Sequence, residues 1–440
     1  MKSRYAVSPG WRAALAALGL VTGSALAQEG EPLPQPLPLE AALEQAEVPH
    51  HDVVLREAEI DAARAELASV ESSYGWDVRA EAEAFYVDAN AVASEYADQS
   101  DDHQAALLAS KRLYDFGRRD ALQSAAEAGL EGARQSYADG IKQRRLMIMK
   151  RFFDVLLADL EYMVANERMA IVFIRVDNMR DENELGRVSD VELFAQEAEY
   201  QEALSRRTAA ANRQRTARAR LAEALNRPDE LSADLLPPRL GFLFDRERGE
   251  LDKLVEEALA ANPRIQALTQ RLQAAEQRVR AARKSDAPYL DGELAAAAYT
   301  RDLSGRDDVR AGVRLTVPLY KGGRTDAAVA RALAETKRTR ALLAKARRDV
   351  RQRILELWQR IDDLQARREE DWARMDYREL YLDRARSLYD LEVETDLGDA
   401  MVEHTRARLK KARNEFSLAL TWAELNALLG REVTAFGSEG

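Results

Sequence analysis

Two distant segments of the 440-residue chain carry nearly the same nine residues. Leu113-Tyr114-Asp115-Phe116-Gly117-Arg118-Arg119-Asp120-Ala121 and Leu319-Tyr320-Lys321-Gly322-Gly323-Arg324-Thr325-Asp326-Ala327 agree at six of nine positions. Their starts, 113 and 319, lie 206 residues apart, and the same interval carries Gly186-Arg187-Val188-Ser189-Asp190 onto Glu392-Val393-Glu394-Thr395-Asp396. Each copy closes a strand-like segment and opens a very long helical one. The chain is a duplicated strand-plus-long-helix unit. Such a unit is too elongated to bury a globular core alone. This points to a tube or conduit.

The strand-like segments raise the question of a membrane. Trp76, Val78, Ala80, Ala82, Ala84 and Tyr86 alternate with Asp77, Arg79, Glu81 and Glu83. Period two means one apolar and one polar face. Ten steps of ~3.3 Å, tilted by ~45°, rise about 23 Å, close to the apolar band of an outer-membrane barrel. An exposed strand of a soluble sheet would also alternate. A polar loop is expected at 88–103. A strand at about 104–114 is less regular, because Leu107 and Leu108 are adjacent. In the second half, strands are expected at about 289–300 and 308–319, around a loop at 301–307. Val309, Ala311, Val313, Leu315, Val317 and Leu319 point one way; Asp308, Arg310, Gly312, Arg314, Thr316 and Pro318 point the other. Aliphatics toward lipid and charges toward a lumen are what a transmembrane strand requires. The candidate lipid-facing positions are Trp76, Val78, Tyr86, Val309, Val313, Leu315 and Val317. Four strands leave an open edge with unpaired peptide groups, so the protein must assemble. Three copies would supply twelve strands and a lumen, although the sequence itself does not count the copies.

Helices account for most of the rest. Residues 120–181 contain neither proline nor a strong break, and sixty residues at 1.5 Å make about 90 Å. Ile148, Phe152 and Val155, then Leu156, Leu160 and Met163, step by 4 and 3, as in a coiled-coil seam. At the turn, Ser189 is placed to cap a return helix ending at about 226, with Glu192 completing a capping box. A second long helix is expected from 325 to about 389, with Val350, Ile354, Leu357, Ile361 and Leu364 as its seam. A turn at 391–396 leads to a last helix ending at Gly430. Shorter helices, 39–72 with a break near Pro49 and 251–285 with a break at Asn262-Pro263, precede the strand pairs. The expected organisation is a signal peptide at 1–27, a Pro-rich extended arm at 28–38 and a first repeat at 39–236. A linker at 237–250, a second repeat at 251–430 and a tail at 431–440 follow.

Composition narrows the class. Lys2, Arg4 and Arg12, the short apolar run at 13–21 and Ala25-Leu26-Ala27 form a secretory signal. The run is too short to span a bilayer, and no later stretch reads as a transmembrane helix. The mature chain is then secreted, periplasmic or an outer-membrane barrel. There are no cysteines, so packing or oligomerisation must replace disulfides. The net charge of −11 argues against a nucleic-acid partner. With 32% charged and 7% aromatic residues, the composition suits long helices. No nucleophile elbow, phosphate loop or metal-ligand spacing appears; His103 and His404 stand apart. An enzyme is not expected, nor a cofactor. His50-His51 are read as ordinary surface histidines.

The segment Val317-Pro318-Leu319-Tyr320-Lys321-Gly322-Gly323-Arg324 resembles the strand-to-helix motif of the TolC-type outer-membrane efflux channels. Gly186 with Ser189-Asp190-Val191 resembles their hairpin tip. Order, spacing and duplication extend the resemblance over essentially the whole mature chain. It implies a mainly α fold with a membrane β part, assembled as a homotrimer. A 12-stranded β-barrel in the outer membrane of a Gram-negative bacterium would continue as an α-helical periplasmic tunnel. It also implies docking to a periplasmic adaptor (membrane fusion) protein and an inner-membrane transporter, in a tripartite efflux pump or a type I secretion system. One departure stands out. The second tip usually reads Tyr-x-x-Gly, but here Tyr389 is followed at the third position by Glu392, and Gly398 comes later. Two other classes compete. A periplasmic coiled-coil adaptor would need lipoyl-like and barrel domains. An envelope structural coiled coil would not need alternating strands. The cargo, whether drug, metal, dye, peptide or protein, is left open.

The tips are the candidate working parts. Asp181, Glu182, Glu184, Asp190 and Glu192 crowd one; Glu392, Glu394, Asp396 and Asp399 crowd the other. Around a threefold axis such acids would ring the tunnel mouth, repelling anions and concentrating cations. Arg187 would pair with one of them and hold the mouth shut. The same acids also suit helix starts on dipole grounds alone. The candidate gate and adaptor-docking residues are Gly186, Arg187, Ser189, Asp190, Glu192, Glu392, Glu394, Asp396, Gly398 and Asp399. Small residues there suit an adaptor's helices packing as knobs into holes. With no ATP site in the chain, energy would come from the inner-membrane partner.

Overall fold

The computed structural model describes residues 33–86, 101–228, 234–300, 307–391, 393, 396–434 and 436. The expected signal peptide, the first five residues of the Pro-rich arm, nearly all of both strand-joining loops, Glu392, Glu394 and half of the tail lie outside these residues. Residues 35–440 form one compact unit.

Helices α1 (Leu39–Glu44) and α2 (His51–Ser72) lead into strands β1 (Asp77–Tyr86) and β2 (Asp101–Tyr114). Then come α3 (Arg118–Glu184) and α4 (Asp190–Ala224). The second half repeats the order: α5 (Leu251–Ala261), α6 (Pro263–Arg283), β3 (Tyr289–Tyr299), β4 (Val309–Thr316), α7 (Arg324–Ala366), α8 (Arg368–Asp390) and α9 (Leu397–Leu428). The duplication therefore reaches further than the nine-residue motif. The starts of α1 and α5, of α2 and α6, and of β1 and β3 all differ by 212. The starts of α3 and α7, and the ends of α3 and α8, differ by 206. Six residues are lost between the first and second strand of each pair, so the first loop is the longer by six. That shift hides the first third of each repeat from a comparison at one fixed offset.

The strands form one antiparallel sheet in the order β1-β2-β3-β4. The β2–β3 pair joins the repeats, with an irregularity between Arg112 and Tyr114. Strand β4 ends at Thr316, short of the expected 319, because Pro318 has no N–H to give a ladder.

Helix α3, 67 residues long, is about 100 Å of unbroken helix and packs on α2, α4, α6 and α9. Its seam residues Ile148, Phe152 and Val155 are fully buried, and Phe153 stacks on Phe416 at 4.5 Å. Met163 is 40% exposed, but nearer the tip Val172 and Val176 are fully buried again. On α7 the stripe Val350, Ile354, Leu357, Ile361 and Leu364 is buried throughout.

Two expectations need correction. The second long helix is broken between α7 and α8 at Arg367. The segment expected as a plain linker packs beside that break, burying Leu240, Leu243 and Phe244. Gln365 Nε2 donates to the carbonyls of Leu243 (3.2 Å) and Arg246 (2.9 Å). Arg368 pairs with Asp245 and lies over Trp372 at 4.4 Å. Side chains on both sides of the break are committed to a crossing chain, and no local proline or glycine announces it. His50 is also not a surface residue: it is 5% exposed. Its Nδ1 accepts from the Asp52 amide at 3.3 Å, capping α2. Its repeat counterpart Asn262 caps α6 through the Ile265 amide at 3.1 Å. Burial, then Arg144, lowers the His50 pKa. His50, His51 and Asp52 cluster, but the buried nitrogen is already spent on the helix start.

Candidate functional site

Residues opposite one another in a ladder share a face of the sheet. Val78 opposes Ala109, Ala109 opposes Leu294, and Leu294 opposes Ala311. The face so defined also carries Leu107, Val309, Val313 and Leu315, all more than half exposed. Tyr86, 78% exposed, stands at the far end of β1. Trp76 stands just before the strand, with the Lys111 ammonium 5.8 Å from its ring. The opposite face is concave and charged. Asp77, Arg79, Arg112, Asp291, Glu293, Arg310 and Arg314 line a depression of about 660 Å³. Arg112 Nε pairs with Asp291 Oδ1 at 2.7 Å, and Arg314 with Glu293 at 2.8 Å. The alternation of β2 is regular after all. Leu107 is on the apolar face, and Leu108 faces the depression beside Ser110.

Below the sheet, the duplicated motif turns strands into helices. Phe116 and Gly117 have φ of 57° and 83°; their counterparts Gly322 and Gly323 have 61° and 76°. Two successive left-handed residues swing the chain out of the ladder, which is why glycine recurs there. Asp115 Oδ2 accepts from the Arg119 amide at 2.9 Å and from the Tyr74 hydroxyl at 2.5 Å. Burial and then this carboxylate push the Tyr74 pKa up to about 12. In the second repeat Lys321 replaces Asp115, and its ammonium lies 3.4 Å from Asp286 Oδ1.

At the far end of α3, Gly186 takes φ 69°, and the Arg187 amide donates to the Glu182 carbonyl at 2.9 Å. The capping box is formed: the Glu192 amide donates to Ser189 Oγ at 3.4 Å, and the Ser189 amide donates to Glu192 Oε2 at 3.0 Å. That backbone bond leads in lowering the Glu192 pKa. Asn183 Nδ2 bridges Val188 and Asp190, each at 3.0 Å. Arg187 pairs with no acid among the described residues. Val191, part of the tip motif, and Leu185 and Phe194, not singled out from the sequence, are each about two-thirds exposed or more. Apolar residues flanking a polar turn were the available signal.

The second tip leans on α3. A Cβ on Gly398 would come within 2.9 Å of the Ile171 side chain. Asp399 receives Arg168 Nη1 at 2.9 Å and a second bond from Arg175. Thr405 bonds Glu167 at 3.1 Å, and the Tyr381 hydroxyl donates to Asp396 at 2.7 Å. Ile171 lies thirteen residues before Glu184, so α9 begins about 20 Å short of the end of α3. Within one chain Asp396 and Asp399 therefore do not meet the acids of the first tip at one level. Asp399 is a brace between repeats, held by two arginines whose part the sequence did not reveal.

Residues 254–431 match the family model described as outer membrane efflux protein. No curated protein matches the chain. Among solved structures, the Campylobacter jejuni CmeC outer membrane channel is similar at 16% identity and a TM-score of 0.71, over 89% of this chain and 85% of that one. The Vibrio cholerae outer membrane protein VceC gives 17% and 0.67, over 90% and 96%. The open state of the Neisseria gonorrhoeae MtrE outer membrane channel gives 17% and 0.67, over 90% and 89%. Helix α5 onward carries the family match, and nearly the whole described chain carries the fold. Residues 254–431 therefore match the outer membrane efflux protein family, and the chain shares the fold of these outer-membrane channels.

Proposed function

We propose that three copies of this chain close a 12-stranded barrel in the outer membrane of a Gram-negative bacterium and continue it as a helical tunnel through the periplasm. The assembly is the exit duct of a tripartite efflux pump or type I secretion system. One observation carries the reading: a sheet with an exposed apolar face, a charged concave face and two edges, β1 and β4, that pair with no further strand among the described residues. In hydrocarbon each unpaired peptide group costs several kcal/mol. Further copies satisfy those groups, put the apolar face in lipid and leave the charged face around water.

The tips are the gate and the docking surface. Tip 2 is held against α3 by the Asp399 brace, and opening shears α8 and α9 away from α3. Leu185, Val191 and Phe194 at tip 1 offer apolar knobs to an adaptor's helices. The adaptor and the inner-membrane transporter supply the force. Outer-membrane fractionation with unboiled and boiled SDS gels tests the duct. A heat-modifiable trimer is expected, and a monomer soluble in plain buffer would sink it. Arg187→Ser tests a lock between copies by single-channel conductance in planar bilayers. A rise assigns Arg187 to the gate; no change removes it.

A further inference from the structure

We infer that β4 of one copy pairs antiparallel with β1 of a second copy in a defined register, with Arg314 opposite Glu83 and Gly312 opposite Phe85. The inference rests on the trimer reading above and names its seam.

The chain already contains the counterpart of that seam. Around a closed ring the repeats alternate. The step from β2 to β3, seen within the chain, runs from first repeat to second; the step from β4 to the next copy's β1 runs from second repeat to first. The two are equivalent under the internal duplication. Strand β2 maps onto β4 by adding 206, and β3 maps onto β1 by subtracting 212. The observed pair Leu108–Ala295 becomes Arg314–Glu83, and Ala106–Ala297 becomes Gly312–Phe85. On the apolar face Leu107–Ala296 becomes Val313–Ala84. The irregularity past Arg112 maps beyond the end of β4, so it leaves these pairs undisturbed.

The side chains agree with a mapping made without them. Glu83 is an exposed acid with no ion-pair partner among the described residues. Arg314, 61% exposed at its side chain, is bonded only from the β3 side, to Glu293. The register places the free acid on the free side of the arginine. Phe85 is 55% exposed on the charged face, an odd place for a large apolar ring. Gly312 has open space where a Cβ would be, and a ring laid over an edge glycine is a known way of covering one. The small–small pair Ala106–Ala297 is thus replaced by a large–none pair. A slide of two residues would put Glu81, already paired with Arg79 at 3.1 Å, or Phe85 opposite Arg314. A slide of one would turn Val313 and Leu315 toward charges, reversing the faces.

The chain has no native cysteine, so disulfide trapping reads the register directly. Directly opposite Cβ atoms lie about 5 Å apart and diagonal ones about 7 Å, against the ~4 Å a disulfide needs. The double variant Glu83→Cys with Arg314→Cys is oxidised in outer membranes and run on SDS gels after boiling. Covalent trimer, reverting to monomer with reductant, is expected at about tenfold the yield of the Glu81→Cys/Arg314→Cys and Phe85→Cys/Arg314→Cys pairs. Ala84→Cys with Val313→Cys repeats the test on the lipid face, without touching the ion pair. Preferred trapping by either offset pair, or a heat-modifiable trimer that no pair traps, overturns the register and leaves the duct standing. A chain that never forms a trimer, even without substitution, takes down the duct reading itself.

Discussion

At the strand-to-helix junction the first repeat joins Tyr74 to Asp115, buried, whereas the second joins Asp286 to Lys321, partly exposed. The positions correspond under the duplication, and the backbones turn alike, yet the chemistry differs. Farther down, the first repeat runs as one unbroken helix to a tip that closes on itself through a capping box. The second breaks at Arg367, and its tip is braced on the first by Asp399. One repeat behaves as a strut with its own stops. The other is a jointed arm whose position depends on side chains it does not own. Duplication supplied two copies of a rod, and divergence at a few contacts left one of them braced on the other.

The largest test of that contrast lies at the ends of α4 and α9. Asn226 and Gly430 take the same left-handed turn, with φ of 60° and 75°. A Cβ on Gly430 would meet the Ala261 carbonyl oxygen at 2.5 Å, so Gly430→Asn is expected to cost about 3 kcal/mol. Asn226→Gly loses a 2.9 Å bond to the Pro49 carbonyl, about 1 kcal/mol. Thermal midpoints of the two variants measure this, and equal losses would break the asymmetry.

Next comes the brace. Arg168 and Asp399 are about a third exposed, so after screening Asp399→Asn is worth about 1 kcal/mol, roughly a fivefold shift toward an open tip. Planar-bilayer conductance reads it. Glu197→Gln, which breaks a 2.8 Å pair to Arg180 inside the first hairpin, is expected to leave conductance alone. The same change from both would erase the strut-and-arm distinction.

The junctions predict opposite responses to pH. The Tyr74 pKa is raised above the ordinary 10.0 to about 12, so its contribution is complete below pH 10 and fades as pH rises through 12. Tyr74→Phe is expected to cost about 1 kcal/mol at neutral pH and to flatten the decline above pH 10. The Asp286 pKa is lowered below 3.8, chiefly by the Thr325 hydroxyl at 2.6 Å. Its contribution is present above that value and is lost as pH falls below it. Thermal midpoints across both ranges decide whether each junction fails at its own end.

The smallest effect sharpens the turn itself. Phe116 occupies the left-handed conformation where its counterpart is Gly322, and its ring meets Tyr114 at 4.8 Å. Phe116→Gly gains about 1 kcal/mol of backbone relief and loses about as much aromatic contact. A net change within about 0.5 kcal/mol is expected by thermal melting. A larger gain would show the ring to be idle.

Much of the architecture was legible because it is written in short periods. The alternation from Val78 to Tyr86, the 4–3 stepping from Val350 to Leu364 and the pair Ser189 and Glu192 each lie within a few turns or strand steps of chain. Local geometry translates them with little outside help. What escaped depends on residues far away in sequence. The break at Arg367 answers to a segment about 120 residues earlier. His50 reads as an ordinary polar surface residue until α2 is seen to start on it. Glycine at 398 and acid at 399 looked like furniture of a tip, but their partners are on α3, more than 220 residues earlier.

By itself the sequence determined the parts of this protein: a rod used twice, strands with one oily and one charged side, and the turns between them. Each part follows from residues that touch their near neighbours along the chain. Only the tertiary structure decided which rod leans on which, where the second one bends and which acids are already claimed. Those outcomes arise from contacts between segments hundreds of residues apart, and no local period encodes such meetings.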